Sequence, residues 1–420
     1  MKKQILESYK GVRDFYPEDQ FVLDYIKETM SRACESFGFE KYNASVLEPA
    51  ELYESKTSEE IVNEQTYIFE DRGGRKVVLR PEMTPTVARM VAKRRRELGF
   101  PLRLYSIPNV FRYERPQKGR LREHWQLNAD IFGADNKNYE LELLLLAHKI
   151  MLDFGAKEED FVIKINSRKV LEDLFDKLNI PPLARASTLR LLDRKNKIGK
   201  EEFDESLLHI LGNETEEFKE HLASLEDSGE LQEFKESLAK LGVKNVQIDS
   251  SIVRGFDYYT GLVFEVYDTN PENPRALFGG GRYDKLMESL GQEPIKTVGF
   301  GMGDVSLREF LELRNLVPKY KAATELAILI LEERDSLIQK AFELAALLRR
   351  QDINVAINFS FAKLDKQIKN SKKLNIPFAL LLGEKELESG RYTLKNLQNS
   401  DTVELTEDEI ASYIFESEIM

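Results

Sequence analysis

The sequence has 420 residues, with 61 Lys and Arg against 73 Asp and Glu, so its formal net charge is −12. Apolar residues make up 42%, enough for packed cores, which excludes a mainly disordered chain. At roughly 100 to 200 residues per domain, this length predicts two or three domains. The single cysteine, Cys34, excludes an internal disulfide and indicates a reducing compartment, and with four scattered histidines it leaves no structural zinc site.

Apolar stretches long enough to target or span a membrane are missing. The start, Met1 to Glu7, is polar, and no uncharged run reaches about 18 residues. We therefore expect a soluble, cytoplasmic protein without a membrane partner.

Charge is unevenly distributed. Between Lys93 and Arg122 there are ten basic residues and two acidic ones, interleaved with aromatic residues, whereas 201–240 has thirteen acidic residues and three lysines. The acidic total argues against a nucleic-acid partner, and the acidic block is typical of solvated helix faces. The basic stretch with its aromatic residues is nevertheless suited to phosphates and bases.

In chain order, the first part is predicted to be α+β with an antiparallel sheet. A helix is expected over Phe21–Phe37, with Cys34 on its buried stripe. Strands follow at 76–80, 102–107, 109–113 and 125–132, then a helix at 140–155, a strand at 161–165, a charged helical insertion at 168–240, and strands near 246 and at 262–266. In the strand 125–132, Gln126, Asn128 and Asp130 share one face.

A linker is predicted at 314–324, and the pattern then changes. Strands at 327–331, 354–357 and 378–382 alternate with helices at 335–350 and 363–374, which predicts a small α/β domain with some parallel pairing. The turn after its first strand has no glycine, so a dinucleotide site there is not expected.

Three clusters have candidate chemistry, and each has an ordinary alternative. Arg80–Pro85 is a ligand site or a turn capped by Thr84. Phe111–Arg120, a strand with a flexible basic loop, and the polar face of the next strand form a phosphate site or a solvated sheet face. The glycines in 255–261, 279–281 and 299–303 let the backbone approach a ligand or mark turns and bulges. No Walker, Rossmann, nucleophile-elbow or zinc spacing is present, and the dispersed histidines disfavour a triad.

Taken together and in order, these stretches resemble the histidyl-tRNA synthetase family of class II aminoacyl-tRNA synthetases. The resemblance covers effectively the whole chain and is weakest at 168–240. The matching stretches are Gly11–Asp14, Leu79–Thr84, Phe111–Gly133 (motif 2), Arg254–Glu265, Gly279–Asp284 and, in the tail, Leu380–Glu384.

The resemblance implies a catalytic domain over 1–320, with the helical insertion at about 168–240, and an anticodon-binding α/β domain over 325–420. It implies activation of L-histidine by ATP to histidyl-adenylate and pyrophosphate, followed by transfer to the 3′ end of tRNA(His). Mg²⁺ would accompany ATP, DNA would not be a partner, and a homodimer is the family expectation.

Residue roles are also implied by the resemblance. Arg112 would hold the α-phosphate and Arg254 would bridge it to the attacking carboxylate, both as catalytic groups, with Glu114 also at ATP. Histidine would contact Glu82, Met83, Thr84, Gln126 and Asp130, mainly through its ammonium group, and Tyr258 and Tyr259 would line the imidazole pocket. The acceptor end of tRNA would meet Arg115, Lys118, Arg120 and Arg122, and the anticodon Lys366 and Lys369.

The sequence departs from the family pattern in three places. Asp130 stands where Glu is commoner, and Ser45 stands before Val46 where motif 1 has proline. Motif 3 ends Gly303-Asp304-Val305-Ser306, without the arginine that holds the ATP γ-phosphate, and Arg308 would point to another helix face. The γ-phosphate contact is therefore unassigned.

Two non-catalytic alternatives stay open. One is the regulatory subunit of ATP phosphoribosyltransferase, which shares the catalytic fold but typically lacks the anticodon domain and the arginine at the position of Arg254. The other is a free-standing sensor of uncharged tRNA.

Overall fold

The computed structural model describes residues 6–54, 65–117, 119–195, 198–224, 229–253 and 258–419. The chain divides into two compact units, Met1–Pro318 and Lys319–Met420. Among the described helices, none combines the length and apolar character that crossing a bilayer requires.

The first unit is built on a mostly antiparallel sheet, as the sequence predicts. Within the described residues its strands follow the order β1-β5-β7-β12-β11-β10-β8-β9, with β6 also paired to β7 and only the pairs β1–β5 and β8–β9 parallel. The strands are β1 Glu40–Lys41, β5 Leu102–Ser106, β6 Asn109–Phe111, β7 Glu123–Phe132, β8 Phe161–Ser167, β9 Val246–Ile248, β10 Leu262–Asp268, β11 Ala276–Arg282 and β12 Thr297–Gly303. A separate small sheet contains β2 Leu47–Pro49, β3 Tyr67–Glu70 and β4 Lys76–Leu79 in the order β2-β4-β3.

Helices cover the two faces of the large sheet. In chain order they are α1 Pro17–Ser36, α2 Glu51–Glu54, α3 Thr84–Arg94 and α4 Asn138–Asp153, and α10 Asp304–Leu313 follows β12. One face packs on α1 and α4, where Cys34 is buried as predicted and Leu127, Ala129 and Ile131 of β7 join the core. The opposite face packs on α3, and this second face includes the candidate site.

The described residues of the predicted insertion are mainly helical. The insertion contains α5 Arg168–Lys177, α6 Pro182–Arg194, α7 Lys200–Leu211, α8 Thr215–Ser224 and α9 Gly229–Lys240. The helices α5 to α8 share an apolar core of their own around Leu171, Phe175, Leu207 and Phe218. The acidic residues that the structure describes in 201–240 therefore lie on the outside of an ordinary helical core.

The second unit is a small α/β domain with mixed strand pairing, in agreement with the sequence prediction. Its strands follow the order β14-β13-β15-β16-β17, with β13 parallel to both β14 and β15. The elements are β13 Leu326–Ile330, α11 Asp335–Arg349, β14 Val355–Asn358, α12 Leu364–Lys373, β15 Phe378–Leu382, α13 Glu384–Ser389, β16 Tyr392–Asn396, β17 Thr402–Leu405 and α14 Glu407–Ile419. Helices α11 and α14 pack on one face of its sheet, and α12 packs on the other.

The structure corrects two sequence interpretations. The glycines of 279–281 and 299–303 do not mark turns, because they lie within the paired strands β11 and β12. The predicted linker starts too early: Arg314 pairs with Asp160 and Asp268, and Leu316 and Val317 pack on the core of the first unit. Partly buried ion pairs and apolar contacts thus hold residues 314–317 to the first unit.

Candidate active site

A trough with a glycine floor crosses the second face of the large sheet. Strand β12 pairs with β7, so that Gly299 lies opposite Asp130 and Gly301 opposite Asn128. A Cβ atom on Gly299 would overlap Asp130 Oδ1 and the Tyr283 hydroxyl, and one on Gly301 would lie 2.9 Å from Gln126 Nε2. Glycine is needed here because polar side chains of β7 lean across the neighbouring strand.

The polar face of β7 is not a solvated sheet face. Asn128 and Asp130 are almost fully buried, at 2% and 1% exposure, and Gln126 Nε2 donates to Asn128 Oδ1 over 2.8 Å. Burying such groups costs free energy unless a partner satisfies them. The ordinary alternative considered from the sequence is therefore wrong for these two residues.

One end of the trough is a pocket of carboxylates and tyrosine rings. Glu82 is buried, and the Tyr258 hydroxyl donates to its Oε2 over 3.4 Å. The rings of Tyr258, Tyr259 and Tyr283 lie 4.9 to 6.2 Å apart, centroid to centroid. The pocket joins negative charge to aromatic walls, which suits a small cationic or N–H-rich ligand.

Asp130 is the most unusual group in this pocket. The Tyr283 hydroxyl donates to its Oδ1, while its Oδ2 is buried and has no hydrogen-bond partner among the described residues. Burial raises the pKa of Asp130 to about 7, a donated hydrogen bond from Tyr283 opposes that rise, and the charge of Glu82 adds to it. A buried acceptor without a partner is costly and points to a ligand donor.

The turn that includes Glu82 is fixed by hydrogen bonds to Tyr53 and by burial at the start of α3. The Tyr53 hydroxyl donates to the Glu82 carbonyl over 3.0 Å and lies 2.8 Å from Thr86 Oγ1. Met83 and Thr84 are buried where α3 begins. Because α3 starts at Thr84 itself and no side chain caps it, the alternative of a turn capped by Thr84 is wrong.

The other end of the trough is cationic. Arg112 Nε donates to the Pro81 carbonyl over 3.0 Å, which ties this arginine to the turn beside Glu82. Burial, then the charges of Arg112 and Arg13, lower the pKa of His124 to about 3, so its ring is neutral near pH 7. The Arg112 guanidinium beside a neutral imidazole suits an anionic, phosphate-like ligand.

The basic loop after β6 presents its predicted RNA-binding residues unequally. Arg115 and Arg120 are exposed, and Arg120 pairs with Glu114 over 3.3 Å. Arg122 instead stacks on Tyr113 and Tyr9 and donates to the carbonyls of Glu114 and Lys10. Lys118, the fourth residue predicted to contact RNA in this loop, lies outside the described residues.

Helix α12 of the second unit presents a lysine face. The residues Lys363, Lys366, Lys369, Lys372 and Lys373 are exposed, whereas Gln367 and Ser371 are buried. The predicted catalytic Arg254 lies outside the described residues, so the geometry above concerns the remaining predicted groups.

Sequence reasoning missed two residues of the trough, Tyr283 and His124. Tyr283 follows the glycines of β11, but its partner Asp130 is 153 positions away in the chain. The period-two pattern of β7 contained a signal for His124, since it precedes Gln126 on the same face. The ion pair of Arg13 with Asp304 also had no local signal, because the two residues are 291 positions apart in the chain.

A polar trough across an antiparallel sheet, followed by a small α/β domain, is the arrangement expected of a class II aminoacyl-tRNA synthetase. A family model for histidyl-tRNA synthetase matches residues 11–304, and one for an anticodon binding domain matches 325–417. The chain therefore belongs to the histidyl-tRNA synthetase family.

Individual relatives agree with this placement. A histidine–tRNA ligase of Leptospira biflexa is 40% identical over 94% of this chain and 95% of its own length. One of Thermoplasma volcanium is 34% identical over 98% and 99%. A crystal structure of histidyl-tRNA synthetase from Nostoc sp., 24% identical, superposes with a TM-score of 0.77 over 98% of this chain and 99% of that one, which supports the fold.

Proposed function

We propose that this protein is a histidine–tRNA ligase. It activates L-histidine with ATP to histidyl-adenylate and pyrophosphate, then transfers the histidyl group to the 3′ end of tRNA(His). The observation that carries the proposal is Asp130 Oδ2, which has no hydrogen-bond partner in the described part of the chain and is buried in a pocket of three tyrosines at one end of a trough whose other end is cationic.

The tyrosine-lined end suits histidine. Histidine brings an ammonium group and an imidazole N–H, and the pocket offers the carboxylates of Glu82 and Asp130 with the amide of Gln126 between the pocket and the cationic end. Met83 and Thr84 shape the turn, and Tyr258 and Tyr259 pack beside the ring. Leucine or phenylalanine would bring the same ammonium group but no imidazole N–H, so the buried acceptor for that N–H would have no donor, at a cost of roughly 1 to 3 kcal/mol.

The first chemical step needs charge neutralisation more than proton transfer. A carboxylate oxygen of histidine attacks the α-phosphorus of ATP, and the bond to the bridging oxygen breaks, so that pyrophosphate leaves with the electron pair. Both reactants are anionic, and we assign Arg112 and Arg254 to hold the α-phosphate and the attacking carboxylate in line, with Glu114 also at ATP. Arginine keeps its charge near neutral pH.

Mg²⁺ would enter with ATP as its counter-ion. Within the described part of the chain, no three His, Cys, Asp or Glu side chains gather into a metal site, so we assign the ion no resident ligands and no separate step. In the second step the terminal ribose hydroxyl attacks the carbonyl carbon of the adenylate and AMP leaves.

We assign tRNA(His) to the two basic surfaces. Its acceptor end would contact the loop of Arg115, Lys118 and Arg120. Arg122, which stacks on tyrosine rings, would support that loop. Its anticodon would meet Lys366 and Lys369 on α12. A homodimer working in the cytoplasm, with domains at 1–320 and 325–420, completes the proposal.

The test is histidine-dependent ATP–pyrophosphate exchange with the full chain. We expect exchange with histidine and none above background with other amino acids. An intact fold by circular dichroism without exchange would favour a non-catalytic relative and contradict the proposal. The presence of a matched anticodon-binding region at 325–417 supports the synthetase over the regulatory subunit.

A further inference from the structure

Two exposed phenylalanine rings contact each other on the surface of the second unit. Phe342 lies on α11 and Phe359 directly follows β14, and the two residues are 53% and 45% exposed. Their ring centroids are 5.5 Å apart, and the ring planes are inclined by 36°. Single apolar side chains on a surface are normal. Among the ring pairs between described residues, however, this is the pair in which both rings are exposed, and neither ring belongs to a core cluster of this unit.

Helix α11 holds the ring pair along the edge strand β14. This strand ends the strand order of its sheet, so within the described residues one of its sides pairs with no other strand. Near the start of β14, Arg349 Nη2 donates to the Val355 carbonyl over 2.8 Å. Just past its end, Phe342 contacts Phe359. Because these two contacts hold α11 against the length of β14, the rings are fixed between a helix and a strand end.

Basic side chains lie on both sides of the ring pair. Arg349 and Arg350 are exposed at the end of α11, two turns after Phe342, and Lys363 is exposed directly before α12. Residues 342–373 include seven basic and three acidic residues, whereas the whole chain has a net charge of −12. The ring pair therefore lies in a locally positive part of an acidic protein, which favours an anionic partner.

Exposed aromatic rings between cations are typical of surfaces that bind single-stranded nucleic acid. A base can stack on an aromatic ring while neighbouring cations neutralise its phosphates. The core of an interface with another protein is, in contrast, depleted of charged residues. Since the two rings already contact each other at 5.5 Å, a base would stack on an outer ring face and not between them. The match of this unit to an anticodon binding domain agrees with an RNA partner.

We propose that Phe342 and Phe359 form a stacking platform for a base of the anticodon loop of tRNA(His), with Arg349, Arg350 and Lys363 at the neighbouring phosphates. The inference rests on the proposed function and adds a base contact to the phosphate contacts assigned to α12. Every base has a π face, so the platform contributes affinity with little sequence preference. The cations contribute the dependence of binding on salt.

The experiment measures filter binding of tRNA(His) to the full chain over a series of salt concentrations. F342L/F359L keeps two apolar side chains but has no rings, and we expect its affinity to fall roughly 5- to 30-fold. The slope of log affinity against log salt should not change, because no cation is lost. F342Y/F359Y keeps both rings and should bind within about twofold of wild type. F415L, which removes another exposed phenylalanine of this unit, should match wild type.

R350A separates stacking from charge. It leaves both rings in place and should lower the slope of the salt dependence by about 1, because one phosphate contact is lost. A fluorescent base analogue in the anticodon loop should change its emission on binding to wild type and not on binding to F342L/F359L. Unchanged tRNA affinity in F342L/F359L, or an equal loss in F415L, would overturn the platform.

The two proposals fail separately. Histidine-dependent exchange without tRNA should be equal in F342L/F359L and wild type, since the described trough consists of residues of the first unit. Absence of this exchange in wild type contradicts the histidine–tRNA ligase function, and the binding comparison still tests the ring pair because it needs no catalysis. Normal exchange with unchanged tRNA affinity in F342L/F359L overturns the platform alone and favours a protein partner for these rings.

Discussion

The two ends of the trough lie on one strand and have opposite character. Asp130 and His124 are six residues apart on β7, a span of about 20 Å at the usual rise per strand residue. Near Asp130, Glu82 and three tyrosines make a buried acidic pocket, whereas near His124 the Arg112 guanidinium makes the other end cationic. Strand β7 sets the distance between the two ends, and side chains from neighbouring elements give each end its charge. A reaction that joins an amino acid to a polyphosphate needs this separation.

The largest expected effect comes from filling the glycine floor at the acidic end. In G299A the new Cβ would meet Asp130 Oδ1, the Tyr283 hydroxyl and, at 2.8 Å, the Ala129 carbonyl. We expect overpacking to cost roughly 1 to 3 kcal/mol of unfolding free energy and histidine binding to be lost. Chemical denaturation and calorimetry with histidine measure both effects.

G303A is the matched control at the cationic end. Its Cβ would come no closer than 3.7 Å to His124 Cδ2, which is ordinary contact. We expect wild-type stability and histidine affinity. Equal losses of stability and of histidine affinity in G299A and G303A would show that the glycine floor is packed equally closely at both ends of the trough.

Replacing the unusual carboxylate is the next largest change. D130N removes an ionised acceptor, and we expect the KM for histidine to rise about 10- to 100-fold, the range for a hydrogen bond to a charged group. D130E retains the carboxylate, so its KM for histidine should rise less than that of D130N. Pyrophosphate exchange at varied histidine measures both variants, and an identical KM in wild type and D130N would remove Asp130 from the pocket.

The pH dependence sharpens this prediction. The folded pKa of Asp130 is about 7 against an ordinary 3.8, so its stabilising contribution is present below pH 3.8 and is lost as pH rises through about 7. D130N should therefore melt at a higher temperature than wild type at pH 8 and differ less at low pH. Histidine binds the ionised form, so the ratio of the D130N to the wild-type KM should rise from pH 6 to pH 8. Protonation of free histidine affects the KM of wild type and of D130N equally, so it cancels in this ratio.

Y283F makes a smaller change at the same end. The hydrogen bond that the Tyr283 hydroxyl donates lowers the pKa of Asp130, so removing it should raise that pKa. The increase in histidine affinity that accompanies ionisation of Asp130 should then occur at higher pH. We expect a loss of about 3- to 10-fold at pH 7, within the range for a single neutral hydrogen bond, that shrinks at higher pH. Y392F, in the second unit, is the control. A loss independent of pH would mean that Tyr283 acts by packing alone.

The smallest effect is expected away from the trough. K366A/K369A should weaken tRNA(His) binding roughly 3- to 10-fold and reduce its salt dependence, because each lysine neutralises about one phosphate. Exchange without tRNA should not change. K385A, whose exposed lysine pairs with Glu404 on another element, is the control. A filter-binding series in salt tests the pair, and an unchanged slope would contradict the assignment.

Local patterns predicted most of this fold. Period-two alternation correctly identified the site face of β7, and helical stripes predicted α1, α4 and α11 within a few residues. β11 and β12 were missed because glycine has low strand propensity and no side-chain alternation. The contacts of Tyr283 with Asp130 and of Arg13 with Asp304 depend on strand order across most of the first unit, which no local pattern contains.

The most direct test of the two-ended trough is a two-substrate exchange experiment with D130N beside R112A. We predict that D130N raises the KM for histidine at least about tenfold and leaves the KM for ATP within about twofold of wild type. R112A should lower kcat or raise the KM for ATP while calorimetric histidine affinity stays at the wild-type value. If both variants change the histidine and ATP parameters together and by similar factors, the two ends of the trough do not bind separate substrates.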